Sequence, residues 1–123
     1  MTRSTETTEA KALAELPHVT LFKGDCYNEA DLQEAFEGVE LAFANTNGFA
    51  IGEKAEIYWG IRMYELARQH NLKHFVWGGV DYGSKLAGFA QKYRCGHLDG
   101  KNKVTGMCMI NLWGVILTPA QNT

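Results

Sequence analysis

The chain has 123 residues, 46% hydrophobic and 21% charged, a balance that argues against disorder and allows one small domain with a real core. A formal net charge of −2, with the 12 lysines and arginines scattered along the chain, provides no basic stripe for phosphate backbones, so no nucleic-acid partner is expected. The 3 cysteines, Cys26, Cys95 and Cys108, are too few and too widely spaced for a disulfide framework, and no His/Cys cluster points to a metal.

Residues 7–16 are rich in Ala, Leu, Lys and Glu and predict a helix that Pro17 stops. Residues 19–22 are β-branched and aromatic, and with Gly24-Asp25 behind them they predict a strand running into a turn. Asn28 is placed to cap a helix carrying Leu32, Ala35 and Phe36, and Gly38 suits the left-handed position after its end. Residues 41–44 are apolar throughout, which predicts a strand covered on both faces. A loop over 45–52 leads into a helix over 53–70. Its buried face is expected to hold Ile57, Ile61 and Tyr64, with Arg62, Glu65 and Arg68 toward water.

Asn71 suits a left-handed helix end, and residues 73–77 form another buried-type strand before Gly78-Gly79. Residues 84–93 read as a short helix or an irregular lid, 97–105 as a helix, and 111–117 as a last strand. The longest apolar stretch, 107–117, is interrupted by Asn111 and Gly114 and is too short to span a bilayer. The polar start is no secretory signal, so a cytoplasmic protein without membrane attachment is expected.

Helix and strand alternate along the chain with short connections. That order predicts an α/β fold, a doubly wound parallel sheet with right-handed crossovers. Ligands in such sheets bind outside the carboxyl ends of the strands, where Gly, Asp and Asn collect here.

Several segments, in order and at consistent spacing, resemble the NmrA-like family of atypical short-chain dehydrogenases/reductases. They are LPHVTLFKGD at 16–25, LQEAFEGV at 32–39, AFANTN at 42–47, ARQHNLKHFVW at 67–77 and HLDGKNKV at 97–104. The resemblance implies a Rossmann-type fold that binds NADP or NAD, for oxidoreduction in secondary metabolism or for sensing redox state. It implies that Arg3 meets the 2′-phosphate of NADP and that Asp25 lies beside the adenine. Asn45, Thr46 and Asn47 would line the pyrophosphate and nicotinamide-ribose side, Phe49 the nicotinamide, and Lys101 the ribose and active site.

Two departures qualify this. Family members open with a strand, a Gly-rich turn and a helix, and no Gly-x-Gly-x-x-Gly occurs in this sequence. A partial Rossmann sheet is therefore expected, lacking that first strand, turn and helix and leaving an interior strand as an edge. Dinucleotide binding would then be weak or absent, because the turn and the helix start are what cradle the pyrophosphate. After Val104 the family pattern fades. This divides the chain into a partial NAD(P)-binding domain at 1–105 and a divergent tail at 106–123, either a later family strand or unrelated sequence.

Reductases of this kind use a proton donor, usually Tyr, four residues before a Lys. Here that spacing is held by His97 and Lys101, the candidate catalytic pair. The competing reading makes both solvated helix residues. Trp77-Gly78-Gly79 stands where a supporting hydroxyl is expected, and Tyr82 and Ser84 are the substitutes within reach of the sequence. Asp25 equally fits a plain turn residue, and Arg3 lies near enough to the terminus to fray. Cys26 reads as an inert thiol, and Trp59, on a different face from Ile57 and Ile61, as a contact for a partner or for the missing part of the sheet. A small-molecule substrate is expected if the chain is active. Self-association, or association with a full-length relative through the bare sheet edge, is expected if it is not.

Overall fold

The computed structural model describes residues 1–110 and 115–117, with side chains described through residue 108. The chain forms two compact units, Met1–Val39 and Glu40–Thr123, where the length alone predicts one domain.

In the first unit, helix α1 spans Thr8–Ala14, and the Thr7 hydroxyl oxygen accepts from the Ala10 N–H at 3.2 Å. Helix α2 spans Glu29–Phe36, and Asn28 Oδ1 accepts from the Asp31 N–H at 3.1 Å, the cap expected there. Gly38 follows in the left-handed region at φ 69°. Ala10, Leu32 and Phe36 are buried. The strand expected at 19–22 does not form. A single parallel bridge joins Thr2 to Lys23, made by Thr2 N–H to Phe22 O at 2.8 Å and Gly24 N–H to Thr2 O at 2.9 Å. One rung leaves the β-branched residues before it without a ladder, and strand propensity has little force without a paired neighbour.

In the second unit, strands β1 (Leu41–Ala44), β2 (His74–Trp77) and β3 (Val115–Leu117) form a parallel sheet in the order β1-β2-β3. Phe43 faces Val76 in register, and Val76 faces Ile116. Between them run α3 (Gly48–Gln69), α4 (Gly83–Leu86), a 3₁₀ turn at Gln91–Tyr93, and α5 (Gly96–Ile110). The core gathers Met63, Tyr64, Leu66, Ala67, Leu72, Phe75, Trp77, Val104 and Cys108. The α/β class and the parallel pairing expected from the alternation are both present. Asn71 ends α3 in the left-handed region at φ 57°, as its type predicts.

Three details differ from expectation. Strand β1 is not covered on both faces. It pairs only with β2 among the described residues, and Leu41 and Phe43 are exposed. The first turn of α3 is set off from the rest by Gly52, whose φ of 78° and ψ of 164° are accessible essentially to glycine alone. The main helix therefore begins at residue 53, but its buried stripe is Glu56, Gly60, Met63, Tyr64 and Ala67, not Ile57 and Ile61. The reason is close packing against α5. A Cβ on Gly60 would stand 2.6 Å from Val104 Cγ2 and 2.9 Å from Trp77 Cη2, so only a bare Cα lets the helices approach. Helix α5 also runs to Ile110, past the end expected at 105. The part of the expected last strand at 111–114, and the tail at 118–123, lie outside the described residues.

Candidate functional site

Strand β1 delivers Asn45, Thr46 and Asn47 to the carboxyl edge of the sheet, directly before α3. Asn47 Oδ1 accepts from the Ala50 N–H at 3.3 Å and so caps the first turn of α3. Strand β2 is followed directly by Gly78, whose backbone lies under the Asn45 side chain. A Cβ there would come within 2.8 Å of Asn45 Oδ1. Two neighbouring strand ends thus present an exposed amide and a bare peptide at the edge where parallel sheets take ligands.

Helix α5 brings Lys101 to this edge. Its Nζ donates to Asn45 Oδ1 at 2.7 Å and to Thr46 O at 2.8 Å, and pairs with Glu56 Oε1 at 3.0 Å. Thr46 Oγ1 lies farther away, at 3.3 Å, and the ammonium sits 5.4 Å from the centre of the Trp77 ring. Lys101 is 13% exposed, so the expectation of a solvated helix lysine fails. A lysine so far withdrawn from water is tolerated because a carboxylate and carbonyl oxygens surround it.

Glu56 is the residue that sequence reasoning missed. It is fully buried, and the Thr46 hydroxyl donates to its Oε1. A Cβ on Gly48 would fall 2.2 Å from Glu56 Oε2, and one on Gly100 2.9 Å, so two glycines from different helices make room for the carboxylate. The available signal was the spacing Glu56, Gly60, Met63, Ala67, which is helical but is masked by the more apolar Ile57 and Ile61.

His97 lies one turn before Lys101 on α5. Its ring stacks on Phe49 with centroids 3.9 Å apart and planes 30° apart, and Cys95 Sγ is 3.4 Å from its Nδ1. Phe49 itself is 81% exposed. The structure therefore brings Asn45, Thr46, Phe49, His97 and Lys101 together around one loop.

The two substitutes for the supporting hydroxyl lie elsewhere. Ser84 is buried and donates to Asp99 Oδ1 at 2.7 Å and Tyr93 O at 3.1 Å, which ties α4 to α5. Tyr82 packs edge-on against Phe89 at 6.0 Å. In the first unit, Arg3 is exposed beside the Thr2 bridge. Asp25 builds a turn there: its Oδ1 accepts from the Tyr27 N–H at 2.9 Å, and its own N–H donates to Asp31 Oδ2 at 2.7 Å. Burial, with Asp25 alongside, pushes the Cys26 thiol up from its ordinary value, as an inert thiol requires. Among the described residues no group of His, Cys, Asp and Glu could hold a metal, and no helix is long and apolar enough to cross a membrane.

The model of the NmrA-like family matches residues 1–108. This chain belongs to the NmrA-like family. Solved structures agree on the fold. A crystal structure of NmrA, a negative transcriptional regulator, is 24% identical with a TM-score of 0.76, the alignment covering 95% of this chain and 35% of that one. NmrA in complex with NADP is 25% identical with a TM-score of 0.74, covering 95% and 34%. NmrA in complex with NAD is 24% identical with a TM-score of 0.64 over the same shares. The NmrA-like chain thus spans about a third of the length of these structures. No curated protein matches it.

Proposed function

We propose that this NmrA-like chain binds a nicotinamide dinucleotide, NADP in first place and NAD in second, and acts as a redox-responsive binding module rather than a catalyst. The observation that carries the reading is Lys101, seated between Asn45, Thr46 and Glu56 at the carboxyl ends of β1 and β2. The donor set fits such a ligand: an ammonium and exposed amides suit sugar hydroxyls and a carboxamide, and the Phe49–His97 stack offers a flat apolar face to a ring. Asn45, Asn47, Phe49 and Lys101 would hold it, and when bound it would supply redox chemistry. That NmrA crystallises with NADP and with NAD supports the ligand class, and that NmrA is a negative transcriptional regulator supports a module that need not turn over.

The side chains favour binding over catalysis. Among the described residues, Thr46 supplies the one side-chain hydroxyl hydrogen-bonded to Lys101, and it donates to Glu56. A proton donor for reduction needs its own hydrogen free toward the reacting atom.

A second reading keeps the oxidoreductase of secondary metabolism, acting on a small molecule, with His97 as proton donor. Its support is the position of His97, one turn before Lys101 and against Phe49. Association with a second copy or a longer relative through the edge of β1 belongs with the first reading, and the exposed Leu41 and Phe43 support it.

Calorimetric titration of the purified, folded chain with NADP and NADPH tests the proposal. Saturable micromolar binding, about −8 kcal/mol, is the expected result, and a folded chain that binds neither overturns it. Oxidation of NADPH with a panel of small carbonyl compounds would move the balance to the second reading.

A further inference from the structure

An ammonium has three N–H groups, and on Lys101 all three are spoken for. They run to Asn45 Oδ1 at 2.7 Å, Thr46 O at 2.8 Å and, at 3.3 Å, Thr46 Oγ1, while Glu56 Oε1 forms an ion pair with the same ammonium at 3.0 Å. They are not equivalent. Asn45 is exposed, whereas Thr46 is buried and Glu56 is wholly enclosed. Glu56 Oε1 holds both Lys101 and the Thr46 hydroxyl, and its Oε2 has no hydrogen-bond partner and lies against Gly48 and Gly100. A carboxylate kept this dry is costly unless it is paired, so Lys101 cannot leave it without stranding a buried charge.

We propose that Glu56 is the positioning residue of this site: it anchors the Lys101 ammonium and the Thr46 hydroxyl from the buried side, leaving Asn45 as the acceptor that a ligand hydroxyl replaces. This rests on the dinucleotide reading for the identity of the ligand, though the anchoring stands on the geometry alone. Exchange at Asn45 keeps every hydrogen bond in number, because the displaced amide turns to water. Exchange at Thr46 O would leave a buried acceptor unmade, and exchange at Glu56 would strand a buried charge. Glu56 thereby fixes which direction of the ammonium is open, and the glycines at 48 and 100 are the steric condition for its presence.

The test uses Glu56→Gln, which keeps the shape and the acceptor for Thr46 and removes the charge. Acylation of lysines by acetic anhydride, read by mass spectrometry, is compared at Lys101 and at the exposed Lys54 and Lys92. In the wild type Lys101 is expected to react more slowly than the other two. In Glu56→Gln its rate is expected to rise about tenfold while Lys54 and Lys92 keep theirs, with NADP affinity falling about tenfold. An unchanged Lys101 rate in a folded variant overturns the anchoring.

If Glu56→Gln does not fold, thermal melts of Lys101→Met and of Lys101→Met/Glu56→Leu decide the matter. Recovery of stability in the double variant shows that the two residues act as a pair, and no recovery overturns it. A wild-type chain that binds no NADP overturns the dinucleotide reading only, since the labelling rates and melts judge the anchoring without any ligand.

Discussion

Glu53, one turn before Glu56 on α3, shows what a half-buried carboxylate does on the same helix. It pairs with Lys103 and, at 3.1 Å, with Arg94. The Lys103 ammonium holds its carboxyl below the ordinary carboxylate value, and Glu53 in turn holds the Lys103 ammonium above its own. A depressed carboxylate adds stability above its unfolded pKa and loses it as the pH falls through the folded value. Glu53→Gln is therefore expected to cost under about 1 kcal/mol at neutral pH, because the pair is half in water. In urea melts taken at several pH values, that difference should fade below about pH 4. A difference that persisted into acid would mean that packing, not charge, holds the pair.

The thiols sort by the same reasoning. Burial pushes Cys108 up to about 11, so at pH 8 roughly a thousandth of it is thiolate. Ellman's reagent on the folded chain should reach half-buried Cys95 first, Cys26 more slowly, and Cys108 only after unfolding. Prompt reaction of Cys108 would contradict the closed core beneath α5.

At this scale the site was partly legible. For the candidate site, Lys101, Asn45, Thr46, Asn47 and Phe49 could be named from the resemblance, because family motifs preserve residue types at fixed spacing, and His97 from its place four residues before Lys101. Glu56 could not. A carboxylate in a helix looks solvated in sequence, and only the arrival of Lys101 from a residue 45 positions away makes its burial tolerable.

At the scale of elements, the pairing of α3 with α5 organises the second unit. It depends on Gly60, where Ala would gain helix propensity of about 1 kcal/mol but must displace the buried Val104 and Trp77. Overpacking costs roughly 1–3 kcal/mol, and clashes at 2.6 and 2.9 Å put this one in the upper part of that range, so net of the propensity gain Gly60→Ala is expected to lower stability by about 1–2 kcal/mol in chemical denaturation. A neutral or stabilising effect would show that the helices have slack. Caps and ends were legible here, since Asn28, Gly38 and Asn71 act through their own local chemistry. The buried face of α3 was not, because the Ile57 and Ile61 period competes with that of Glu56 and Gly60, and choosing between them needs the partner helix. The strand expected at 19–22 failed for the same reason, having a single bridge where a ladder was required.

For the whole molecule, the chain divides after Val39, and among the described residues the sheet of the second unit ends at β1 with Phe43 64% exposed. An apolar edge strand is a template for pairing. On the proposal that copies pair through this edge, Phe43→Lys is expected to abolish concentration-dependent association measured by light scattering, and a wild-type chain that stays monomeric, or association unchanged in the variant, overturns that contact. By itself, the sequence determined the α/β class, the parallel pairing of successive strands, the local stops and caps, and the family. All of these follow from periodicity, residue type and motif order, which act over a few residues or recur at fixed spacing. The tertiary structure alone decided that Lys101 is largely withdrawn from water, that Glu56 is its counter-charge, and that glycines at 48, 60 and 100 are spaces for other side chains. Those properties are set by distances between residues far apart in the chain, and burial, which makes a charge costly or useful, exists only once the chain has folded.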